Sequence, residues 1–401
     1  MQPLLALGIR LRASGHQVEL GAAPGFADWV RHHGLSFIPL GCDIQAWARA
    51  HGDVAQPSLA TLRSAIDYLR ADADQSFDEL LTAAPGADLL VTGLHAAAPS
   101  VAEALRIPHR TVLFCPQIIP SGLHPPPGWQ HRSPGAVFNR GLWWVASLGF
   151  DRLFRSTIDR KRRECGLGPA AELTRYVLGD APILASDAAL GGIPRDAFLQ
   201  VAQTGSLRLE ERDALEPELE RFLEAGDPPV CIGFGSMPDH QPARTTQLVV
   251  AALAASGRRG IIVSGWAELG GMPLPDHVIA VRSAPHAALL PRVALAVHHG
   301  GAGTTAAVAR AGVPHVVVPH LADQFYWGQQ VHARGLGSRP IPRTRLSAPG
   351  LAAAIQFVFA RPSIVTRARA IGVELRSTDA ASEVVRLLEH GVSRHPVTAA
   401  A

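Results

Sequence analysis

The sequence predicts an α/β protein built from two domains of parallel βαβ units. Three observations carry this. The chain has 401 residues, and at roughly 100–200 residues per domain that is about two domains. Short apolar runs alternate with helical patterns along the whole chain, the mark of parallel sheets. The pattern weakens between residues 183 and 228, around Gly191-Gly192-Ile193-Pro194 and a charged run at Glu210–Arg221. A boundary near 205–215 follows, with domains at 1–208 and 209–391 and a tail at 392–401.

The elements of the first half are expected in this order. A helix over 3–14 opens the chain and leads to a strand at 17–20. A helix at 26–33 leads to a strand at 35–40, and a long helix covers about 58–82. Then come a strand at 87–92, a helix at 99–105 and a strand at 110–115. Residues 116–134 are rich in Pro and Gly and read as a long loop. Its apolar members Ile118, Ile119, Leu123 and Trp129 suit either a pocket wall or surface packing. In the second half strands are expected at 229–233, 260–264, 278–281, 294–298 and 315–318. Helices are expected at 244–255, 286–290 and 304–311, the last closed by Gly312.

Composition narrows the function. Hydrophobic residues make up 47% and charged residues 18%, enough to bury large cores. A formal net charge of +3 is too mild for a nucleic-acid binder. Lys161 is the only lysine and sits among arginines, which excludes a Gly-Lys-Ser/Thr phosphate loop and disfavours Schiff-base chemistry. Cys42, Cys115, Cys165 and Cys231 lie far apart and read as reduced thiols. With no apolar run of about 18 residues and no secretory leader, a cytoplasmic protein is expected.

The chemistry concentrates between Ala294 and Gly328. An apolar strand delivers His298 and His299 to its end. Gly300-Gly301-Ala302-Gly303 follow almost without side chains, and Thr304 and Thr305 open a helix. Such a turn lets a ligand reach backbone N–H groups at a positive helix end, which suits a diphosphate. The same pattern also describes a plain strand-to-helix turn. Adjacent strand residues face opposite ways, so His298 and His299 make a poor zinc pair and only one of them should face the ligand. Spacing does not say which. Other strand ends add Ser236, Trp266, Ser283 and His286 to the same crevice, where open parallel sheets bind ligands. Asp323 and Gln324 offer acceptors and an amide suited to hydroxyl-rich ligands.

Through HHGGAGTT at 298–305, RAGVP at 310–314, Asp323-Gln324, GFGSM at 233–237 and SGW at 264–266, the chain resembles the bacterial nucleotide-sugar-dependent glycosyltransferases of the two-domain GT-B fold. The branch is the UDP-glucosyltransferase-like one that modifies glycopeptide and macrolide antibiotics and sterols. The resemblance implies two Rossmann-like domains facing across a cleft. It implies a donor, a UDP- or dTDP-hexose, held by the second domain, and a hydrophobic small-molecule acceptor held by the first. It selects His299, with Gly301, Gly303, Thr304 and Ser236, for the diphosphate. Asp323 and Gln324 would take the sugar hydroxyls, and residues 282–284 the base. Transfer would be inverting, with no cofactor and no metal.

Two departures qualify it. Ser283 and Ala307 stand where plant relatives carry a base-stacking tryptophan and a ribose-binding glutamate. The chain also opens at Met1-Gln2-Pro3, so the family-typical first strand and its loop, with the catalytic base, are expected to be missing. That makes activity doubtful and leaves Asp323 and His286 as substitutes. The alternative reading is a non-catalytic nucleotide-sugar-binding or auxiliary protein. Finally, residues 138–163 join Leu142, Trp143, Trp144, Val145, Leu148 and Phe150 to a basic run. That suits either a helix pair of the acceptor domain or a peripheral membrane contact.

Overall fold

The computed structural model describes residues 1–51, 59–129, 133–210, 213–235 and 237–393. Helix α1 (Gln2–Ala13) forms at once: Pro3 sits in its first turn, where no amide partner is needed, and Arg10 and Arg12 lie in its last. Strands β1 (Glu19–Ala22) and β2 (Ser36–Pro39) pair in parallel as one small sheet. Strands β3 (Leu90–Thr92), β4 (His109–Leu113), β5 (Ile183–Ala185) and β6 (Ala202–Thr204) make a second, all-parallel sheet in that order. Helix α1 serves both sheets. Its Leu5 and Ile9 join Val18, Leu20 and Phe37, while Leu7 and Leu11 join Leu89, Val91, Val112 and Ile183.

Two long helices flank the second sheet, α2 (Leu59–Ala83) and α3 (Ala136–Glu164). The helix pair expected over 138–163 is a single helix of 29 residues. Its N-terminal half exposes Val137, Phe138, Trp144, Val145 and Leu148. Its basic half is paired within the protein. Arg155 meets Asp151 and Asp159, Arg160 meets Asp74 and Glu164, and Lys161 meets Asp78. Arg162 is 4% exposed and donates to Glu103, Ser100, Tyr176 and the Gly168 carbonyl. Of the charge expected to face a membrane, Lys161 and Arg162 are buried, while Arg152, Arg160 and Arg163 stay exposed.

The Arg162 bond to Glu103, opposed by partial burial and aided by Tyr176, holds the Glu103 carboxyl below its usual range. A depressed carboxylate contributes stability above its unfolded pKa and loses it as pH falls. The Glu103 side chain is 45% exposed, so solvent screens the pair and Glu103→Ala is expected to cost about 1 kcal/mol at pH 7. Denaturant titration below the ordinary glutamate pKa of about 4.3 should show that deficit shrinking.

The second half builds one five-stranded parallel sheet. Its strands are β7 (Val230–Gly233), β8 (Gly260–Val263), β9 (Val278–Val281), β10 (Leu295–His298) and β11 (His315–Val317), ordered β11-β10-β7-β8-β9. Strand β10 lies between β11 and the central β7, and its Leu295, Ala296 and Val297 are all within 2% of full burial. Each large apolar side chain so buried stabilises by about 1.5–3 kcal/mol. Around the sheet pack α4 (Pro242–Ser256), α5 (Ala302–Ala311), α6 (Gln324–Ala333), α7 (Ala348–Phe359) and α8 (Pro362–Arg376). The last helix, α9 (Ala380–Ser393), returns to the first half, where Val384, Val385 and Leu388 join Leu7, Val112 and Ile183. It runs two residues into the segment read as a tail; the rest of that tail lies outside the described residues. No single helix among the described residues is long and apolar enough to cross a membrane.

Candidate donor-binding site

The five strands β7–β11 are parallel, so their C-terminal ends lie along one edge of the sheet, and β10 supplies the glycine turn there. His298 and His299 leave the strand on opposite sides, as alternation requires. His298 turns into the sheet. Its Nε2 lies 3.0 Å from His315 Nδ1, and its Nδ1 accepts the Gly300 N–H at 3.1 Å. His299 turns toward the loop after β7. A Cβ on Gly235 would sit 2.9 Å from its Cε1, and one on Gly301 2.4 Å from its Nε2. Glycine on both sides is therefore what gives this ring its space.

His299 is 7% exposed, and its Nδ1 is buried without a hydrogen-bond partner. Burial first, then the neighbouring His320 and His286, bring its pKa down to about 4. The ring is neutral at pH 7. A buried polar atom without a partner is uncommon in a folded protein.

Helix α5 begins directly after the turn. Gly300 takes φ +88°, Gly301 is the N-cap, and no side chain caps the helix. Its first amides are therefore open to an anion. Gly303 is exposed with empty space where a Cβ would go, and Thr304 is half-buried beside it. Thr305 is buried, and its Oγ1 has no partner. The loops beyond β7 and β8 lock backbone to backbone. Gly265, at φ +53°, brings its α-carbon so close that a Cβ would lie 2.6 Å from the Gly235 carbonyl oxygen, and Trp266 N donates to that oxygen at 3.1 Å. Trp266 is 40% exposed, and Ser283 lies exposed at the end of β9. His286, half-buried, opens a short helix near enough to depress both His298 and His299. Ser236 lies outside the described residues.

Asp323 and Gln324 start α6 and behave differently from each other. Gln324 Oε1 accepts the amides of His320 (2.7 Å) and Leu321 (3.1 Å), and its Nε2 faces Met237 Sδ at 3.4 Å. Its carbonyl closes its own loop, which leaves only amide hydrogens for a ligand. Asp323 accepts from the Trp327 indole at 3.1 Å. Burial raises its pKa against that bond. It lies at the seam between the domains. The Ala322 carbonyl accepts Gly128 N–H at 3.2 Å, Arg334 donates to the Ala189 carbonyl, and Cys115 and Leu190 pack with Tyr326 and Trp327. Ala322 takes φ +51°, a conformation that costs about 1–3 kcal/mol in a residue with a side chain and clusters at functional sites.

Sequence reasoning passed over three residues that shape this crevice. His315 is the partner of His298. His320 is 8% exposed, with Nδ1 on the Val318 carbonyl and its ring against Phe234. Asp239 ties the loop after β7 to Thr245 and to Arg343. The signal for His315 was available: it stands on the strand after the glycine turn, on the face that His298 shares.

Comparison with known proteins gives the same architecture and a family. Residues 1–118 match the glycosyltransferase family 28 N-terminal domain, and residues 261–390 match the erythromycin biosynthesis protein CIII-like C-terminal domain. The solved structure of the glycosyltransferase VinC in complex with dTDP superposes with a TM-score of 0.70 at 21% identity. It covers 98% of this chain and 96% of that one, so the fold is GT-B. The vancomycin aglycone glucosyltransferase of Amycolatopsis orientalis is 35% identical over 100% of this chain and 97% of its own length. A sterol 3-beta-glucosyltransferase of Arabidopsis thaliana is 30% identical over 96% of this chain and 65% of its own. The chain therefore belongs to the GT-B glycosyltransferases of the family 28 and erythromycin CIII-like type. Matches of this extent give no support to the expectations of a truncated chain, a sheet short of one strand or an inactive protein.

Proposed function

We propose that the protein transfers a hexose from UDP- or dTDP-hexose to a hydroxyl of a hydrophobic small molecule, with inversion and without a metal. The sterol, lipid and polyketide or peptide natural-product classes are all in scope. The observation that carries the donor half is the side-chain-free turn at 300–303 beside His299, whose buried nitrogen lacks a partner. The relatives named above act on a glycopeptide aglycone and on sterols, and VinC was solved with dTDP.

In this reading the diphosphate lies over the first turn of α5. Its charge is met by helix amides, the Thr304 hydroxyl and a neutral His299 N–H. Such donors, fixed in place before reaction, stabilise the leaving diphosphate without reorganisation. The acceptor oxygen bonds to the anomeric carbon as the carbon–oxygen bond to the diphosphate breaks, and the hydroxyl proton passes to a base. Asp323 and His286 are the candidates for that base within the chain. Asp323 also fits a contact to the sugar hydroxyls, which is the role the resemblance gives it.

Asp323→Asn separates these roles. As a base, Asp323 should cost 10²–10⁴-fold in kcat when replaced. Because its pKa is raised, the acid limb of the wild-type rate profile should lie above the usual carboxylate range and vanish in the variant. As a sugar contact, its loss should raise the donor KM and leave that limb in place. The parent assay is release of nucleoside diphosphate from UDP- and dTDP-hexoses with a panel of sterol and aglycone acceptors. No release with any pair would refute the function, and a strong loss on adding chelator would revive a metal.

A further inference from the structure

We propose that His298 is a positioning residue for the diphosphate turn, and that His315 fixes the tautomer in which it acts. This rests on the donor-site reading above. The ring contacts no ligand position itself; it works through the backbone of Gly300.

The proton assignment follows from the partners. Gly300 N–H points at His298 Nδ1 over 3.1 Å, so that nitrogen is an acceptor and carries no proton. A neutral imidazole has one N–H, which must then sit on Nε2. That nitrogen is 3.0 Å from His315 Nδ1, so it donates and His315 Nδ1 accepts. The His315 proton is thereby placed on Nε2, a buried atom with no hydrogen-bond partner. The reverse assignment would set two N–H groups head to head at Gly300. Both rings are within 2% of full burial, which disfavours a second proton on either.

The consequence is local and geometrical. Gly300 takes φ +88°, and its backbone is also pressed by Val317 and Gln324: a Cβ there would lie 2.6 Å from Val317 Cγ1 and 3.0 Å from the Gln324 carbonyl oxygen. With its amide pinned inward on His298, Gly300 cannot offer that amide to a ligand. The peptides after it carry the turn into the uncapped start of α5. Two adjacent histidines therefore divide the labour: His299 lies on the ligand side, and His298 holds the turn from beneath.

Two substitutions split the bonds. His298→Asn keeps an acceptor where Nδ1 stood and gives up the reach to His315. His298→Gln places an amide where Nε2 stood and gives up the acceptor for Gly300. Affinity for UDP and for dTDP is read by calorimetry, unfolding temperature is read in parallel, and nitrogen-15 spectra of labelled histidine report the tautomer of the unaltered protein. We expect the Nε2–H tautomer at His298. We also expect affinity within about threefold for His298→Asn and a loss of about tenfold for His298→Gln at a similar unfolding temperature, the scale of one backbone hydrogen bond. A proton on Nδ1, or equal losses in both variants, would overturn the proposal. Should the unaltered protein bind neither nucleotide, the donor reading fails, while the nitrogen spectrum still decides the tautomer.

Discussion

His299→Ala is expected to weaken binding of UDP or dTDP by about 1.5–3 kcal/mol, the range for a hydrogen bond to a charged group, which is roughly 10- to 150-fold. The direction follows from the ring's surroundings. It is enclosed between Gly235 and Gly301, its pKa lies near 4, and its Nδ1 has no partner in the protein. A neutral imidazole donates one N–H to a phosphate and brings no charge that burial would penalise. Because Nδ1 is unpaired within the fold, the substitution removes a buried polar group along with packing. Folding stability should fall less than nucleotide affinity. Calorimetry on the folded variant checks this, and unchanged affinity for both nucleotides would remove His299 from the site.

Gly300→Ala should have the largest effect on the turn itself. The backbone there is left-handed at φ +88°, which costs a residue with a Cβ roughly 1–2 kcal/mol. The new methyl would also press on Val317 and on the Gln324 carbonyl, and overpacking of that kind typically costs about 1–3 kcal/mol. We expect a stability loss of about 2–5 kcal/mol and no measurable nucleotide binding. Gly303→Ala is the control. Nothing lies within 4 Å of its added Cβ, and alanine suits a helix better than glycine does. That variant should fold at least as well as the parent yet bind nucleotide poorly, because the methyl occupies the space over the helix end. Denaturant titration and calorimetry on the pair separate the scaffold from the site. Full affinity in Gly303→Ala would move the phosphate elsewhere.

The second domain was legible in the sequence because its strands are short unbroken apolar runs bounded by glycine. The strand at 294–298, the helix closed by Gly312 and the separation of His298 from His299 all follow from local rules that tertiary packing did not override. Other features depend on contacts far apart in the chain. The 29-residue helix α3 carries tryptophans, glycines and arginines that read as two elements, and its Arg160, Lys161 and Arg162 pair with acids some 60–90 positions away. Gln324 reads as a ligand because its loop is polar, yet its carbonyl is taken by two amides of that same loop, and only the folded backbone reveals them. The return of α9 onto the first domain is expected from the family resemblance for residues 380–391, but it is a matter of long-range burial that no local window of residues shows.

The most direct test of the donor site is amide hydrogen exchange with and without saturating dTDP or UDP. The account predicts slowed exchange concentrated at residues 299–305, the glycine turn and first turn of α5, with weaker protection in the loops after β7 and β8. Protection confined to the first domain, or none at the turn while the nucleotide is demonstrably bound, would contradict it.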